Sequence, residues 1–191
     1  MIASRETIRL WVNRFGAHSA NCIRRDRPSA ADKWHLDEVV IPINGTKYRL
    51  WRAVDANSEV LDTLVQRQRN AKAAERFLRR FINRFGPPTV VITDKLRNYF
   101  KPILDLAPNA DYPAHKGLNN RIERSHRPTQ KWEKIMGRFK SSRQAPKFLA
   151  THDQINTIFR PRHYRISAIS YRHSRSDTFH LWTDYALKTT A

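Results

Sequence analysis

The chain has 191 residues, enough for one α/β domain of ordinary size, and its 40% apolar and 10% aromatic content excludes global disorder. Its 36 Lys and Arg against 17 Asp and Glu give a net charge of +19, which predicts a polyanionic partner, with nucleic acid favoured over an anionic membrane surface. No apolar run reaches the roughly 18 residues of a membrane span, and the single Cys22 excludes an internal disulfide and a cysteine-based zinc site. We therefore expect a cytoplasmic protein without a membrane partner.

The N-terminal segment predicts one short amphipathic helix within residues 1–16. In SRETIRLWVNRFG the apolar residues recur at helical spacing, with Ser4 as the N-cap and Gly16 as the stop. Residues 17–33 are polar and basic without periodicity, so they predict a linker. The folded core is expected to begin at Trp34.

Three strands and a helix follow in the predicted core. WHLDEVVIPI is a strand rich in β-branched residues, Asn44-Gly45 is a hairpin turn, KYRLWRAVD is the second strand, and residues 59–67 are the third. Asn70 caps a helix that ends at Gly86. The apolar run TVVIT at 89–93 is typical of a central parallel strand.

The rest of the chain predicts mainly helices. They cover 95–106, a long region from about Leu118, and 143–160, while residues 161–191 form a basic tail with at most one helix near 177–188. The order βββαβα fits an α/β fold of the ribonuclease H-like kind, which we expect to have a mixed five-stranded sheet flanked by helices over residues 34–160. Trp34, Trp51 and the Phe residues are expected in the core.

Two carboxylates lie in or next to strands that are predicted to be buried, where a charged side chain is not expected for structural reasons. Asp37 shares its strand face with Val39 and Ile41, and Asp94 directly follows the predicted parallel strand. A buried carboxylate is costly unless it is paired or bound to a cation, and α/β sheets bind ligands where their parallel strands end. If the two strands are neighbours, Asp37 and Asp94 converge.

A third acid, Glu123, lies on a polar helical face. Three carboxylates from two strands and a helix would suit Mg²⁺, or Mn²⁺ in its place, and two such ions support phosphodiester displacement. The alternative is that Asp37 and Asp94 are ion-paired scaffold residues and Glu123 is a solvated acid balanced by a neighbouring arginine. The remaining acids that compete for these positions are Glu38, Asp55 and Asp105.

Five tracts carry a resemblance to a known family. They are WHLDEVVIPINGTKYRLWRAVD, RNAKAAERFLRRF, VITDKLRNYF, HKGLNNRIERSHRPT and GRFKSSRQAPKFLATHDQINTIF, in that order. Over residues 4–160 the chain resembles the bacterial insertion sequence six family of DDE transposases. The resemblance implies a ribonuclease H-like fold and a metal-binding catalytic triad of Asp37, Asp94 and Glu123. It also implies Mg²⁺-dependent cleavage at the element's ends and transfer of the resulting 3′-hydroxyls to target DNA.

The same resemblance bears on the ends of the chain and on its partners. Family members usually begin with a longer helix-turn-helix region, so residues 1–16 are expected to be the last helix of a shortened DNA-binding region. The implied partners are double-stranded DNA, as element ends and target, and further copies of the chain in a homodimer or larger assembly. The implied location is the bacterial cytoplasm, in association with the nucleoid.

A basic helical face beyond Glu123 is the predicted DNA surface. It combines cations at helical offsets with polar residues near the triad: Lys95, Asn119, Asn120, Arg124, His126, Arg127, Lys131, Lys134 and Arg138. His126 has three possible roles, which are to contact the scissile phosphate, to orient a carboxylate, or to be a plain surface histidine. Asn119 and Asn120 have helix capping as their simpler role, and the basic face as a whole can be merely solvated.

Three functions remain in competition at this stage. The first is a DNA transposase, the second is a truncated, inactive transposase remnant that only binds DNA, and the third is a ribonuclease H-like nuclease acting on RNA–DNA hybrids. The family-like tracts favour the first.

Overall fold

The computed structural model describes residues 4–26, 30, 32–57, 59–93, 97–113, 126, 131, 134, 139–159 and 167–190. Its first elements are helix α1 (Arg5–Trp11), a π-helical turn (Val12–Gly16) and α2 (Ala17–Arg25). Strands β1 (Lys33–Ile43), β2 (Thr46–Asp55) and β3 (Val60–Gln66) lead to α3 (Ala71–Phe85) and β4 (Val90–Thr93). Helices α4 (Arg97–Leu106), α5 (Gln144–Phe159) and α6 (Ala168–Thr190) complete the described elements.

The sheet has the order β3-β2-β1-β4. β1 pairs antiparallel with β2 through the turn at Asn44 and Gly45, whose φ angles of 48° and 76° fit the tight hairpin that an Asn-Gly pair favours. β4 pairs with β1 in parallel. The predicted strands are therefore confirmed, but β4, expected to be a central strand, lies at the edge of the described sheet beside β1.

Among the described residues the sheet has four strands, so the expected fifth strand is wrong for this part of the chain. Residue Asp111 adds a single parallel bridge to Val90 at the outer edge of β4. The bridge is held by hydrogen bonds from the Val91 N–H to the Asp111 carbonyl at 2.9 Å and from the Asp111 N–H to the Thr89 carbonyl at 2.8 Å. Pro113 follows two residues later and has no N–H to donate, which limits further pairing.

The core lies between one face of the sheet and helices α3 and α4. Because successive strand residues point to opposite faces, Trp34 and Leu36 of β1 reach this core together. Aromatic rings make its centre: Trp34 and Phe81 lie 4.9 Å apart and Phe77 and Phe81 5.0 Å apart, in edge-on geometry. Helix α3 is fixed at its start by Asn70, whose side chain accepts the Ala73 N–H at 2.9 Å as predicted.

Not every phenylalanine is in the core, contrary to expectation. The Phe100 side chain in α4 is 57% exposed and that of Phe179 in α6 is 53% exposed. Helical position decides this, because the residue before Phe100, Tyr99, is fully buried and takes the inward side of α4.

The chain divides into two compact units, Ser29–Pro146 and Met1–Pro28 with Lys147–Ala191. In the second unit the predicted stop at Gly16 and the linker over 17–33 are wrong for residues 17–25, which are helical. Gly16 is buried inside the continuing helix, and a Cβ there would lie 2.7 Å from Thr151 Oγ1 of α5. This glycine therefore allows two helices to approach closely instead of ending one.

The predicted C-terminal tail contains a 23-residue helix, α6, rather than one short helix near 177–188. It packs within the second unit through Tyr185, which lies in a cluster with Cys22 and Ile23 of α2. Burial raises the pKa of Tyr185, and the neighbouring Asp26 carboxylate raises it further. No helix of the described residues combines the length and apolar character needed to cross a membrane.

Candidate active site

The candidate site lies where β1 and β4 run side by side in parallel. Their described register ends at the pair Leu36 and Thr93. Asp37 is the next residue along β1, and Asp94, the next residue in the chain after Thr93, lies outside the described residues. The neighbouring strands on which the predicted convergence depended are thus present.

Asp37 points away from the α3 and α4 core, on the face opposite Leu36. Its side chain is 13% exposed. The carboxylate oxygen Oδ1 accepts the N–H of Glu38 at 2.8 Å, and Oδ2 lies 3.3 Å from Nε2 of His126. Within the described part of the chain, neither ring nitrogen of His126 forms a hydrogen bond of acceptable geometry. The carboxylate therefore keeps most of its capacity to accept bonds or to bind a cation.

His126 is 4% exposed, so it is not a plain surface histidine. It belongs to a helical stretch, and its burial next to Asp37 leaves the two other predicted roles, contact with a phosphate and orientation of a carboxylate. The 3.3 Å separation favours the second, because a histidine at this distance restricts the positions that the carboxylate can take.

Glu38, the neighbouring acid, has a different environment. It lies on the opposite face of β1 with a side chain only 3% exposed, and it forms ion pairs with Arg49 at 3.3 Å and with Arg69. Two guanidinium groups offset the cost of burying one carboxylate. Glu38 therefore has a structural role and does not compete with Asp37.

The two other competing acids are also accounted for. Oδ1 of Asp55 accepts the N–H groups of Asn57 at 2.8 Å and Glu59 at 3.0 Å, so this carboxylate closes the turn between β2 and β3. Asp105 is exposed on α4. Neither carboxylate lies at the end of β4.

One charged residue near the site was missed by the sequence analysis. Arg52 of β2 is the register partner of Asp37 across the antiparallel pair, and its side chain is fully buried. Cross-strand partners project on the same face, so a buried arginine shares the face of the candidate catalytic acid without forming an ion pair with it. The signal was an arginine alternating with Leu50 and Val54 on an otherwise apolar strand face.

The other predicted site residues divide into two groups. Lys131 and Lys134 are exposed and helical, which fits a solvent-facing basic surface. The remaining ones lie outside the described residues: Asp94, Lys95, Asn119, Asn120, Glu123, Arg124, Arg127 and Arg138. Within the described ranges, no group of three or more metal-binding His, Cys, Asp or Glu side chains occurs.

Comparison with known structures establishes the fold. The simian T-cell lymphotropic virus intasome, in complex with PP2A regulatory subunit B56 gamma, superposes with a TM-score of 0.54 at 18% identity, over 72% of this chain and 52% of that one. The HTLV-2 integrase catalytic core domain in complex with magnesium, in its dimeric form, gives a TM-score of 0.50 at 14% identity, over 69% and 88%. The chain therefore has the ribonuclease H-like fold of integrase catalytic cores, as predicted.

Sequence relatives give the family. Two transposases of Staphylococcus aureus, one for insertion sequence-like element IS431mec and one for insertion sequence element IS257 in transposon Tn4003, are each 34% identical to the chain over 131 residues. These alignments cover 63% of this chain and 56% of each relative, so the chain spans about half the length of the relatives that it matches. The DDE domain family DDE_Tnp_IS240 matches residues 31–162. The chain therefore belongs to the DDE domain family, and its predicted membership of the bacterial insertion sequence six family of DDE transposases is confirmed.

Proposed function

We propose that this chain carries the catalytic domain of a DNA transposase that moves an insertion sequence. In the proposed reaction, water attacks a phosphodiester at the element's end and releases a 3′-hydroxyl. That hydroxyl then attacks a target phosphodiester, so one phosphorus–oxygen bond forms for each one broken. Family membership and the integrase-like fold support this reaction class. We also propose that residues 34–160 form the catalytic domain, and the family match over residues 31–162 supports these bounds.

The observation that carries the proposal is the contrast between Asp37 and Glu38. Glu38 is neutralised by two arginines, whereas Asp37 has no Lys or Arg partner within ion-pair distance among the described residues. Arg52 shares the face of Asp37 but forms no ion pair with it. A nearly buried carboxylate that no guanidinium or ammonium group contacts directly is costly unless a metal ion takes that place. Asp37 also lies one residue beyond the described register of β1 with β4. Both properties suit a catalytic carboxylate.

We propose that Asp37, Asp94 and Glu123 together hold the divalent ions, Mg²⁺ or Mn²⁺ in its place, and that two ions bind. Oxygen donors are the ligands that these hard cations prefer, and the open acceptor positions of Asp37 fit them. Bound ions would activate the attacking oxygen and stabilise the leaving one. His126 would act as a positioning residue that keeps Oδ2 of Asp37 directed towards the site.

The net charge of the chain is the basis for proposing a DNA-binding surface. With a net charge of +19 the chain should bind phosphates in a salt-dependent and largely sequence-independent way. The exposed Lys131 and Lys134 support a basic face. Other proposed contacts are Lys95, Asn119, Asn120, Arg124, Arg127 and Arg138. We further propose that the chain acts as a homodimer or larger assembly on double-stranded DNA, in the bacterial cytoplasm and in association with the nucleoid.

The test is a cleavage and strand-transfer assay on DNA carrying the element's ends, with Mg²⁺ or Mn²⁺. The Asp94→Asn variant should lose both reactions, because a neutral amide binds a divalent ion far more weakly than a carboxylate does. Asp105→Asn is the matched control, since it removes an exposed carboxylate from α4, and it should retain activity.

Equal activity of the Asp94→Asn variant and the unmodified chain would refute the assigned triad. If neither protein cleaves DNA but both bind duplex DNA, the non-cleaving DNA-binding function is correct instead. Preference for an RNA–DNA hybrid over DNA duplex would identify the ribonuclease H-like nuclease.

A further inference from the structure

Helix α4 presents an outer face that is both cationic and aromatic. Arg97, Phe100, Lys101 and Leu104 follow one another at offsets of three, one and three residues, so they share one side of the helix. All four are exposed, Phe100 by 57% and Leu104 by 50%, and together they are called the α4 outer face below. Within the described part of the chain, Arg97 and Lys101 form no ion pair with a carboxylate.

The Phe100 ring is attached to the end of β4 through a second aromatic residue. Its centroid lies 6.4 Å from that of Tyr112, at an interplanar angle of 45°. The Tyr112 hydroxyl in turn forms a 2.6 Å hydrogen bond with Oγ1 of Thr93, the last residue of β4, which is fully buried. The aromatic pair is therefore held beside the candidate active site, although most of the Phe100 ring faces solvent.

The composition of this face indicates its partner. Two exposed cations beside an exposed ring match a ligand that offers phosphates and flat aromatic surfaces together, which is a nucleic acid strand. Inside a paired duplex both faces of each base are covered by its neighbours, so stacking on a side chain away from a duplex end needs an unpaired base. The partner that fits is a DNA strand with unpaired bases.

We propose that the α4 outer face binds unpaired nucleotides of the DNA substrate, with one base stacked on Phe100 and the adjacent phosphates bound by Arg97 and Lys101. The proposal rests on the proposed function for the identity of the substrate, and it adds that the DNA is unpaired next to the bond that reacts. Opening of a few base pairs there would let a phosphodiester reach a recessed site, and Phe100 would stabilise the opened strand.

The test measures binding only, in EDTA and at physiological salt, by fluorescence anisotropy. It compares a blunt duplex with the same duplex carrying a short unpaired 3′ thymine tail. The unmodified chain should bind the tailed duplex more tightly, and Phe100→Ala should weaken that binding roughly fivefold to thirtyfold while changing blunt-duplex binding little. Phe100→Trp should preserve the preference because it keeps an aromatic face.

Two controls separate stacking from other effects. Phe100→Leu keeps an apolar side chain but removes the ring, so it should behave like the alanine variant. Phe179→Ala removes a phenylalanine of similar exposure, 53%, from α6 and should behave like the unmodified chain. Lys101→Gln should weaken binding of the tailed duplex, since it removes a contact to a phosphate next to the stacked base.

Several results would overturn the proposal. They are equal affinity of the unmodified chain for both DNA molecules, an unchanged preference in Phe100→Ala, or normal binding by Phe100→Leu. If Phe100→Ala converted a self-associated chain to monomers and left the affinity for tailed DNA unchanged, the face would be assigned to contact with a second copy of the chain. Because binding is measured without metal, a chain that fails to cleave DNA can still show the expected pattern, so the two proposals fail independently.

Discussion

Two adjacent carboxylates on opposite faces of strand β1 have opposite surroundings. On the face that meets α3 and α4, Glu38 is buried together with the aromatic core and is neutralised by Arg49 and Arg69. On the other face, Asp37 is nearly as buried, but it faces a histidine whose ring nitrogens make no hydrogen bond with the described residues. The two acids therefore differ little in burial but differ in the charges around them, and the proposed catalytic role of Asp37 rests on that difference.

With the roles proposed above, Glu38 would serve stability and Asp37 would serve function within one strand. Neutralised Glu38 should matter for folding, since its removal leaves two guanidinium groups without their partner. Asp37 should matter for chemistry, since a carboxylate that keeps open acceptor positions adds little to the folded state.

The largest effect is expected from Asp37→Asn on DNA cleavage. Loss of a metal ligand should lower the single-turnover cleavage rate about a thousandfold or more, because bound ions contribute several kcal/mol to transition-state stabilisation. The free energy of unfolding, measured by urea titration, should change by less than about 1 kcal/mol. A variant that unfolds more easily by several kcal/mol would show that Asp37 is a structural acid after all.

A large loss of stability is expected on the aromatic face. Phe77→Ala removes a fully buried ring that lies 5.0 Å from Phe81, and it should lower the free energy of unfolding by about 3–5 kcal/mol. Circular dichroism during urea titration measures this. Phe100→Ala is the matched control, since its ring is 57% exposed, and it should change stability by less than about 0.5 kcal/mol. Equal losses for both variants would contradict the assigned core.

A smaller loss of stability is expected from Glu38→Gln. The free energy of unfolding should fall by about 1–3 kcal/mol. This is less than the loss from breaking a fully buried ion pair, because Arg49 and Arg69 are 32% and 40% exposed and can turn to water. Its cleavage rate per folded molecule should stay within a few-fold of the unmodified rate. Loss of cleavage without loss of stability would exchange the roles of Asp37 and Glu38.

The smallest effect is expected outside both faces, at Gly16. An added Cβ would lie 2.7 Å from Oγ1 and 3.1 Å from Cγ2 of Thr151, a side chain that is 4% exposed. The destabilisation from overpacking should exceed the gain in helix propensity from alanine. Gly16→Ala should therefore lower the free energy of unfolding by about 1 kcal/mol. In a Thr151→Ala background the same substitution should be neutral or stabilising. An equal cost in both backgrounds would exclude this contact as the cause.

Much of the fold was predictable because local patterns decided it. The Asn44-Gly45 hairpin follows from residues that tolerate positive φ, and the start of α3 follows from the capping side chain of Asn70. Both features depend on a few consecutive residues. By contrast, the sequence predicts a helix stop at Gly16 and this is wrong, because the glycine is needed for close contact with Thr151, which is 135 positions away in the chain. The exposed Phe100 was missed for a similar reason, since only the packing of Tyr99 determines which side of α4 faces water.

The sequence by itself determined the family and the candidacy of Asp37, because an acid on an apolar strand face is visible in the order of residues, and its charge predicts a polyanionic partner. Tertiary structure alone decided which of two neighbouring acids is neutralised, since the arginines that bind Glu38 come from β2 and from the segment before α3. It also decided that β1 and β4 are neighbours, that Arg52 is buried across from Asp37, and that His126 lies against that carboxylate. Such contacts join residues far apart in sequence, and their energies depend on distance and solvent exclusion, which composition and periodicity do not record.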